Sequence, residues 1–367
     1  MFDFIPLEWY TPIFDFSILW LVLRAAFQGF NGQLFDAKAA AWKDTWAALF
    51  ALLIIVYMGL RPINIVFGDT VNYNADFVKL KDNLQFYQIT YQGEWVFNGL
   101  MMLFAKYSDI HYMFLFCAMV YVGGLWWAVK RFFGNNHYLP FLVVLSMFTF
   151  WAYGVNGVRN GMAAALVIMA LSMRGKWIWQ SVLCLLAIGI HKSLLVVIVG
   201  ALLAYKIDNP RLYIITWLIS IVLSSVVGEA ISNYLLNLGL IEDNRFANYL
   251  TSNQYSDQFS STGFRWDFLI YSSLPVAIGI YFIYFKQYKD QIYIWLFNIY
   301  LFANSFWVII IRAEFANRFA QLSWFIMPLV LIYPYCMKEF WPNQSQKTAW
   351  ALLLFYAYTF VYNIVLH

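Results

Sequence analysis

The stretch GVNGVRNGMAAALVIMALSMRGKWIWQSVLCLLAIGIHKS, Gly154 to Ser193, decides the fold. It holds two apolar runs, Val158–Met173 and Trp177–Ile190, joined by a turn with Arg174 and Lys176. Neither run alternates with the period of a half-buried strand, so each reads as a helix. Arg159 opens the first after an Asn/Gly-rich approach, and His191-Lys192 closes the second. If both helices cross a membrane, Arg159 and His191 emerge on one side and the Arg174/Lys176 turn on the other. The rival reading is a single helix from Lys176 to Lys206. It would measure about 45 Å at 1.5 Å per residue, against a hydrocarbon core of ~30 Å. It would also bury His191 and Lys192 at mid-depth, where an ionisable side chain costs several kcal/mol. A break at His191 avoids both problems.

The same pattern recurs outward along all 367 residues, of which 63% are hydrophobic and only 11% charged, with mean hydropathy +0.64. A soluble domain carries about 25% charged residues, so a soluble protein is excluded. Further spans are expected at about Phe14–Phe30, Trp46–Leu60, Tyr112–Val129, Tyr138–Tyr153, Leu194–Tyr205, Leu212–Val227, Phe268–Phe285, Ile292–Ile311, Phe319–Tyr335 and Ala349–Val365. The expectation is an all-α, polytopic integral membrane protein with about 11–13 transmembrane helices, some of them short re-entrant or half-helices. Residues 1–367 read as one transmembrane domain, with many of the 17 Trp and 26 Tyr near run ends as interfacial belts. A helix is expected over Asp76–Tyr87. Glu94 stands at the start of an apolar piece, Trp95–Ala105, that is too short to span. The acidic, aromatic start MFDFIPLEWYTPIFDF has no basic n-region, so no cleavable signal peptide is expected.

Charge sorts the connections. The pairs Lys38/Lys43, Lys130/Arg131, Arg174/Lys176, Lys206/Arg211, Lys286/Lys289 and Lys338/Lys347 all fall on one side, which the positive-inside rule assigns to the cytoplasm. The other side receives residues 64–109 (a loop with short helices), Asn156–Arg159, His191–Lys192, a second loop at 228–267, and Arg312–Arg318. The net charge of +4 is spread over short loops, with no basic face for nucleic acid. Cys117, Cys184 and Cys336 lie in apolar runs without metal-ligand spacing and read as small core residues. No phosphate-cradling loop, dinucleotide fingerprint, HExxH or DxD occurs, so no metal site and no cofactor is expected.

Basic residues on the outer side need a reason. Arg61, Arg159, Lys192, Arg265, Arg312 and Arg318 sit at or just inside span ends there, with Asp69, Glu94, Asp267 and Glu314. Guanidinium groups pair bidentately with phosphate oxygens, so converging arginines suit a diphosphate. His191 is the natural proton carrier. Each residue also has a structural reading. Arg159 could cap its helix, His191 could sit satisfied in a turn, and Arg312, Glu314 and Arg318 could pair among themselves. Asp69, Tyr73 and Glu94 could be caps. His111, His137 and His367 read as loop or terminal residues.

Seven pieces in order carry a family likeness: GLRP at Gly59–Pro62, GDTVNY at Gly68–Tyr73, Glu94, VRNGMAAAL at Val158–Leu166, HKSLL at His191–Leu195, GFRWDFLIYS at Gly263–Ser272 and ANRFAQLSWFIMPL at Ala316–Leu329. Together they resemble the repeat-unit polymerases of bacterial surface polysaccharides: Wzy-type O-antigen and capsule polymerases, in their EpsG-like branch. The chain lacks the large outer-side domain of some other polysaccharide polymerases and ligases.

The resemblance implies a GT-C-like bundle in the bacterial inner membrane, with its active site facing the periplasm. It implies a metal- and nucleotide-independent glycosyltransferase. A growing glycan would pass from undecaprenyl diphosphate to the non-reducing-end sugar of a lipid-linked repeat unit. Arg159, with Arg318 or Arg312, would hold the diphosphate. His191, or a carboxylate such as Glu94 or Asp69, would accept the proton. Arg61, Lys192, Arg265 and Tyr73 would bind substrate. The expected partners are the lipid-linked oligosaccharides, the bilayer, a chain-length regulator and a flippase. The competing functions are an O-antigen ligase or other lipid-linked-sugar glycosyltransferase, a lipid-linked oligosaccharide flippase or transporter, and a membrane acyltransferase.

Overall fold

A computed structural model describes residues 4–36, 40–84, 93–237, 264–312 and 316–365. Among them every regular element is helical. Apolar side chains dominate nearly all the long helices, and a lipid-spanning backbone must satisfy its hydrogen bonds within itself. Glu314 and most of the expected 228–267 loop, namely 238–263, lie outside the described residues, as do Lys38, His367 and the end of the expected Asp76–Tyr87 helix.

The chain divides into two compact units. The first comprises residues 1–194 and 335–367. Its helices are α1 (Tyr10–Phe30), α2 (Ala40–Gly59), α3 (Thr70–Asp82), α4 (Trp95–Tyr107), α5 (Ile110–Ala118), α6 (Gly124–Phe133), α7 (Tyr138–Leu145), α8 (Phe148–Val155), α9 (Val158–Ser172) and α10 (Trp177–Ile190). The second comprises residues 195–334, with α11 (Leu195–Lys206), α12 (Pro210–Asn237), α13 (Trp266–Ile280), α14 (Gln291–Ile309) and α15 (Ala316–Trp324). Helix α16 (Met327–Met337) ends this run, and α17 (Gln344–Phe360) returns to the first unit.

In the first unit α1 packs along α17, α2 along α5, and α9 against both α6 and α10. In the second, α14 packs on α11, α12 and α15. Buried side chains lie on every face of α14, as expected of a predominantly apolar helix at the centre of a bundle. A three-residue 3-10 turn, Lys192–Leu194, separates α10 from α11, so the chain breaks at His191 as its polarity suggests.

Five described helices are each long and apolar enough to cross a membrane: Leu7–Phe30, Ile110–Asn136, Trp266–Phe285, Gln291–Ile309 and Arg318–Met337. The protein is thus an all-α, multi-pass membrane protein. The expected 11–13 spans are reached only if helices shorter than ~20 residues also cross, among them Val158–Ser172 and Trp177–Ile190.

Three elements differ from the sequence reading. Helix α12 runs on to Asn237, through the first residues expected as the 228–267 loop. The helix expected from Asp76 begins earlier, at Thr70. The single span expected at Tyr138–Tyr153 is two short helices, α7 and α8, bent by 73°. Met147 is extended there, with φ −71° and ψ 135°. The carbonyl freed at Ser146 accepts a 2.6 Å hydrogen bond from Thr359 Oγ1. A neighbouring hydroxyl thus satisfies the backbone group that the break exposes.

Candidate functional site

Three helix ends of the first unit build the site. The α8–α9 turn contains Gly157, and α9 follows directly with Arg159 in its first turn. A side chain at Gly161 would place its Cβ 2.4 Å from Tyr153 O, so glycine is what lets α9 start hard against the end of α8. Helix α4 starts after Glu94. Helix α10 ends at His191, whose N–H still donates to Ala187 O while its own backbone is extended. At Gly189 a Cβ would meet Val96 Cγ2 at 2.4 Å. The bare glycine therefore brings the end of α10 onto the start of α4, and with it His191 onto Glu94.

Glu94 is the hub. His191 Nδ1 lies 2.5 Å from its Oε1, and Arg159 Nη1 donates to its Oε2. Arg159 Nε donates to Tyr73 Oη at 3.2 Å. The guanidinium carbon lies 5.5 Å from the Tyr73 ring centre and 5.7 Å from that of Phe97, within cation–π range. The Tyr73 and Phe97 rings are themselves 5.6 Å apart. The three charged or ionisable side chains keep partial access: Arg159 and His191 are 30% exposed and Glu94 is 18% exposed.

The electrostatics follow from the partners. Burial pushes the Glu94 carboxyl up, but the His191 hydrogen bond and the Arg159 charge outweigh it, so the group is held below the usual carboxylate range. Burial raises the Tyr73 phenol, which stays protonated. With Glu94 ionised, its Oε1 accepts from Nδ1–H of His191. A neutral imidazole then carries its lone pair on Nε2. Nε2 of His191 and Nη2 of Arg159 have no hydrogen-bond partner among the described residues. The N-cap residues Asp69, Glu94 and Gly157 make no side-chain cap hydrogen bond to the first turns of α3, α4 and α9.

The structure therefore brings together four expected site residues, Arg159, Glu94, His191 and Tyr73. Asp69 stands one turn before Tyr73, half-buried, and accepts from Asn72 Nδ2 at 3.0 Å. Lys192 follows His191 directly and is exposed.

Arg61 differs from its expected part in ligand binding. It is 1% exposed, and its guanidinium donates to Met58 O, Val155 O and Thr70 Oγ1 at 2.7–3.0 Å. It also lies 4.5 Å from the Phe114 ring centre. Burial lowers its pKa to about 10, which leaves it charged at neutral pH.

Arg265, Arg312 and Arg318 belong to the second unit. Arg265 forms a two-point ion pair with Asp267 and lies 3.6 Å from the Phe268 ring centre. Arg312 Nε donates to Ser224 O at 3.4 Å. Arg318 is exposed in the first turn of α15.

The sequence reading missed Phe97 as the second face against Arg159. Its one signal is its position three residues after Glu94, on the same side of α4. It also missed Asn156, whose Oδ1 accepts from the Asp69 N–H at 2.8 Å.

A family model described as the EpsG family matches residues 45–367. No curated protein and no solved structure matches the chain. The family supports a polysaccharide polymerase-like role and a glycosyltransferase-type enzyme. With the match spanning nearly its whole length, the chain belongs to the EpsG family.

Proposed function

We propose that the protein is a repeat-unit polymerase. It transfers a growing glycan from undecaprenyl diphosphate to the non-reducing-end sugar of a lipid-linked repeat unit, at the periplasmic face of a bacterial inner membrane. The observation that carries this reading is the Glu94 carboxylate bridging Arg159 and His191. It supplies an oriented proton acceptor and a held cation side by side.

Each group has a part. Glu94 fixes the His191 tautomer with Nδ1–H toward itself, leaving Nε2 to take a proton. This is the orienting role of a buried carboxylate behind a histidine base. Arg159 is held at Nε and Nη1, so Nη2 remains to bind a phosphate oxygen. The uncapped first turns of α3, α4 and α9 add partial positive charge for an anion. The acceptor hydroxyl attacks the anomeric carbon of the donor, and its proton goes to His191 Nε2. The bond from that carbon to the diphosphate oxygen breaks, and the electron pair leaves on the lipid diphosphate. The sugar–diphosphate bond supplies the driving force, so the step itself needs neither nucleotide nor metal. One direct displacement of this kind inverts the anomeric configuration. Glu94 itself, engaged on both oxygens, orients rather than accepts the proton.

Deletion of the protein tests the reading. Surface polysaccharide from the deletion strain should run as core plus a single repeat. Loss of every repeat would instead favour a ligase or a flippase. Arg159→Ala and His191→Ala, at unchanged protein level, should each give the single-repeat pattern. A normal ladder from either would remove that residue from the mechanism.

A further inference from the structure

Three sequence pieces, GLRP, GDT and GVNG, lie beside the reacting groups without supplying any of them. In space they meet. Val155 O, the last carbonyl of α8, accepts from Arg61 Nη2 at 2.7 Å and lies 3.0 Å from the Thr70 hydroxyl. Thr70 Oγ1 in turn accepts from Arg61 Nη2 at 3.0 Å. One residue before Thr70 and one after Val155, the Asp69 N–H donates to Asn156 Oδ1 at 2.8 Å. Gly68, at φ +59°, passes so close over Asn156 that a Cβ there would meet its side chain at 2.4 Å. Arg61 Nη1 anchors the whole to Met58 O, near the end of α2.

We propose that Arg61 and Asn156 are positioning residues: a two-point clamp that fixes the start of α3 against the start of α9, and so holds the Tyr73 phenol on Arg159. Tyr73 is the third residue after Thr70 on α3, and Arg159 is the fourth after Val155. The clamp thus lies about one helical turn before Tyr73 on α3 and, across the α8–α9 turn, just ahead of Arg159 in the first turn of α9. Arg61 suits the task because a planar guanidinium donates to several acceptors in a fixed geometry, which a lysine ammonium does not reproduce. Its charge rests on the Phe114 face and on carbonyl dipoles rather than on a carboxylate. This leaves Glu94 to Arg159 and His191.

The kinetic part of this inference rests on the polymerase reading; the structural part does not. The test uses the full chain in lipid nanodiscs, with Arg61→Lys and Asn156→Ala as variants. Backbone hydrogen exchange, read without substrate, should rise about tenfold in 68–76 and in 155–162 together, with α14 unchanged. With lipid-linked repeat unit extracted from cells lacking the protein, kcat should fall about 10- to 100-fold while KM stays within about twofold, since a misaligned site loses rate before binding. Unchanged exchange with KM raised tenfold would make Arg61 a ligand contact and overturn the proposal. A rise of exchange throughout the chain would reduce both residues to general stability and also overturn it. If the unaltered protein fails to elongate the extracted repeat unit, the polymerase reading falls, and the exchange result still decides the clamp. Asn156→Ala removes only the second tie and keeps the test available should Arg61 variants not accumulate.

Discussion

Glu94 and His191 are 97 positions apart in the chain and 2.5 Å apart in space. Arg159 holds the second oxygen of the same carboxylate. One half-buried charge thus serves two partners, and the consequences of removing it differ from those of removing either partner.

Glu94→Gln keeps the shape and removes the charge. The amide can still accept through its oxygen, but its NH2 faces either Arg159 or the imidazole and favours the wrong tautomer. Elongation should fall by about 10²-fold or more, with normal protein level, as for other histidine bases that lose their orienting carboxylate. Polymer ladders and the rate of repeat addition report it. A full ladder from this variant would place the base elsewhere.

The same carboxyl predicts a pH effect. Its folded pKa lies below the unfolded value of about 4.3. The stability it contributes is therefore complete above that value and is lost as pH falls through the folded pKa. Unfolding temperature against pH should show an acid-side decline that Glu94→Gln flattens. An identical slope in wild type and variant would mean that the Glu94 pairings contribute no folding energy.

Gly189→Val tests the approach of α10 to α4. Any side chain at 189 overlaps Val96, so the helices must part, at a cost of about 1–3 kcal/mol for overpacking. Elongation should drop with it, because His191 moves with α10. Gly175→Ala is the comparison: it has open space around it but φ +85°. Its strain is local to a turn, and elongation should persist. Thermal unfolding and ladder length together separate the two.

Thr359→Val removes the hydroxyl that satisfies Ser146 O at the α7–α8 bend. The cost should be about 1 kcal/mol, the scale of hydrogen bonds between membrane helices. Thermal unfolding should register the loss while elongation is retained, because neither bend residue touches Arg159, Glu94 or His191. A loss of elongation with stability unchanged would tie the bend to the site.

How much of this was legible in the chain depends on the length scale of the cause. Run length and polarity settled the helices, the break at His191 and the helix start at Glu94, because each follows from transfer of local residues between water and lipid. The α7–α8 bend was invisible: LSMF contains no breaker, and the freed carbonyl is satisfied by Thr359, more than two hundred residues away. Arg61 shows the same limit. An arginine at a span end reads as a ligand for phosphate, and only the carbonyls and the Thr70 hydroxyl gathered around it show that both of its terminal nitrogens are already engaged.

By itself, then, the sequence determined an all-helical membrane chain with polar marks at particular helix ends, since hydrophobic burial and backbone satisfaction act on contiguous residues. Only the tertiary structure decided which marks meet. Arg159, Glu94, His191 and Tyr73 converge because Gly161 and Gly189 let helix ends approach at backbone distance, and hydrogen bonds form between groups whose separation in sequence carries no information about their separation in space.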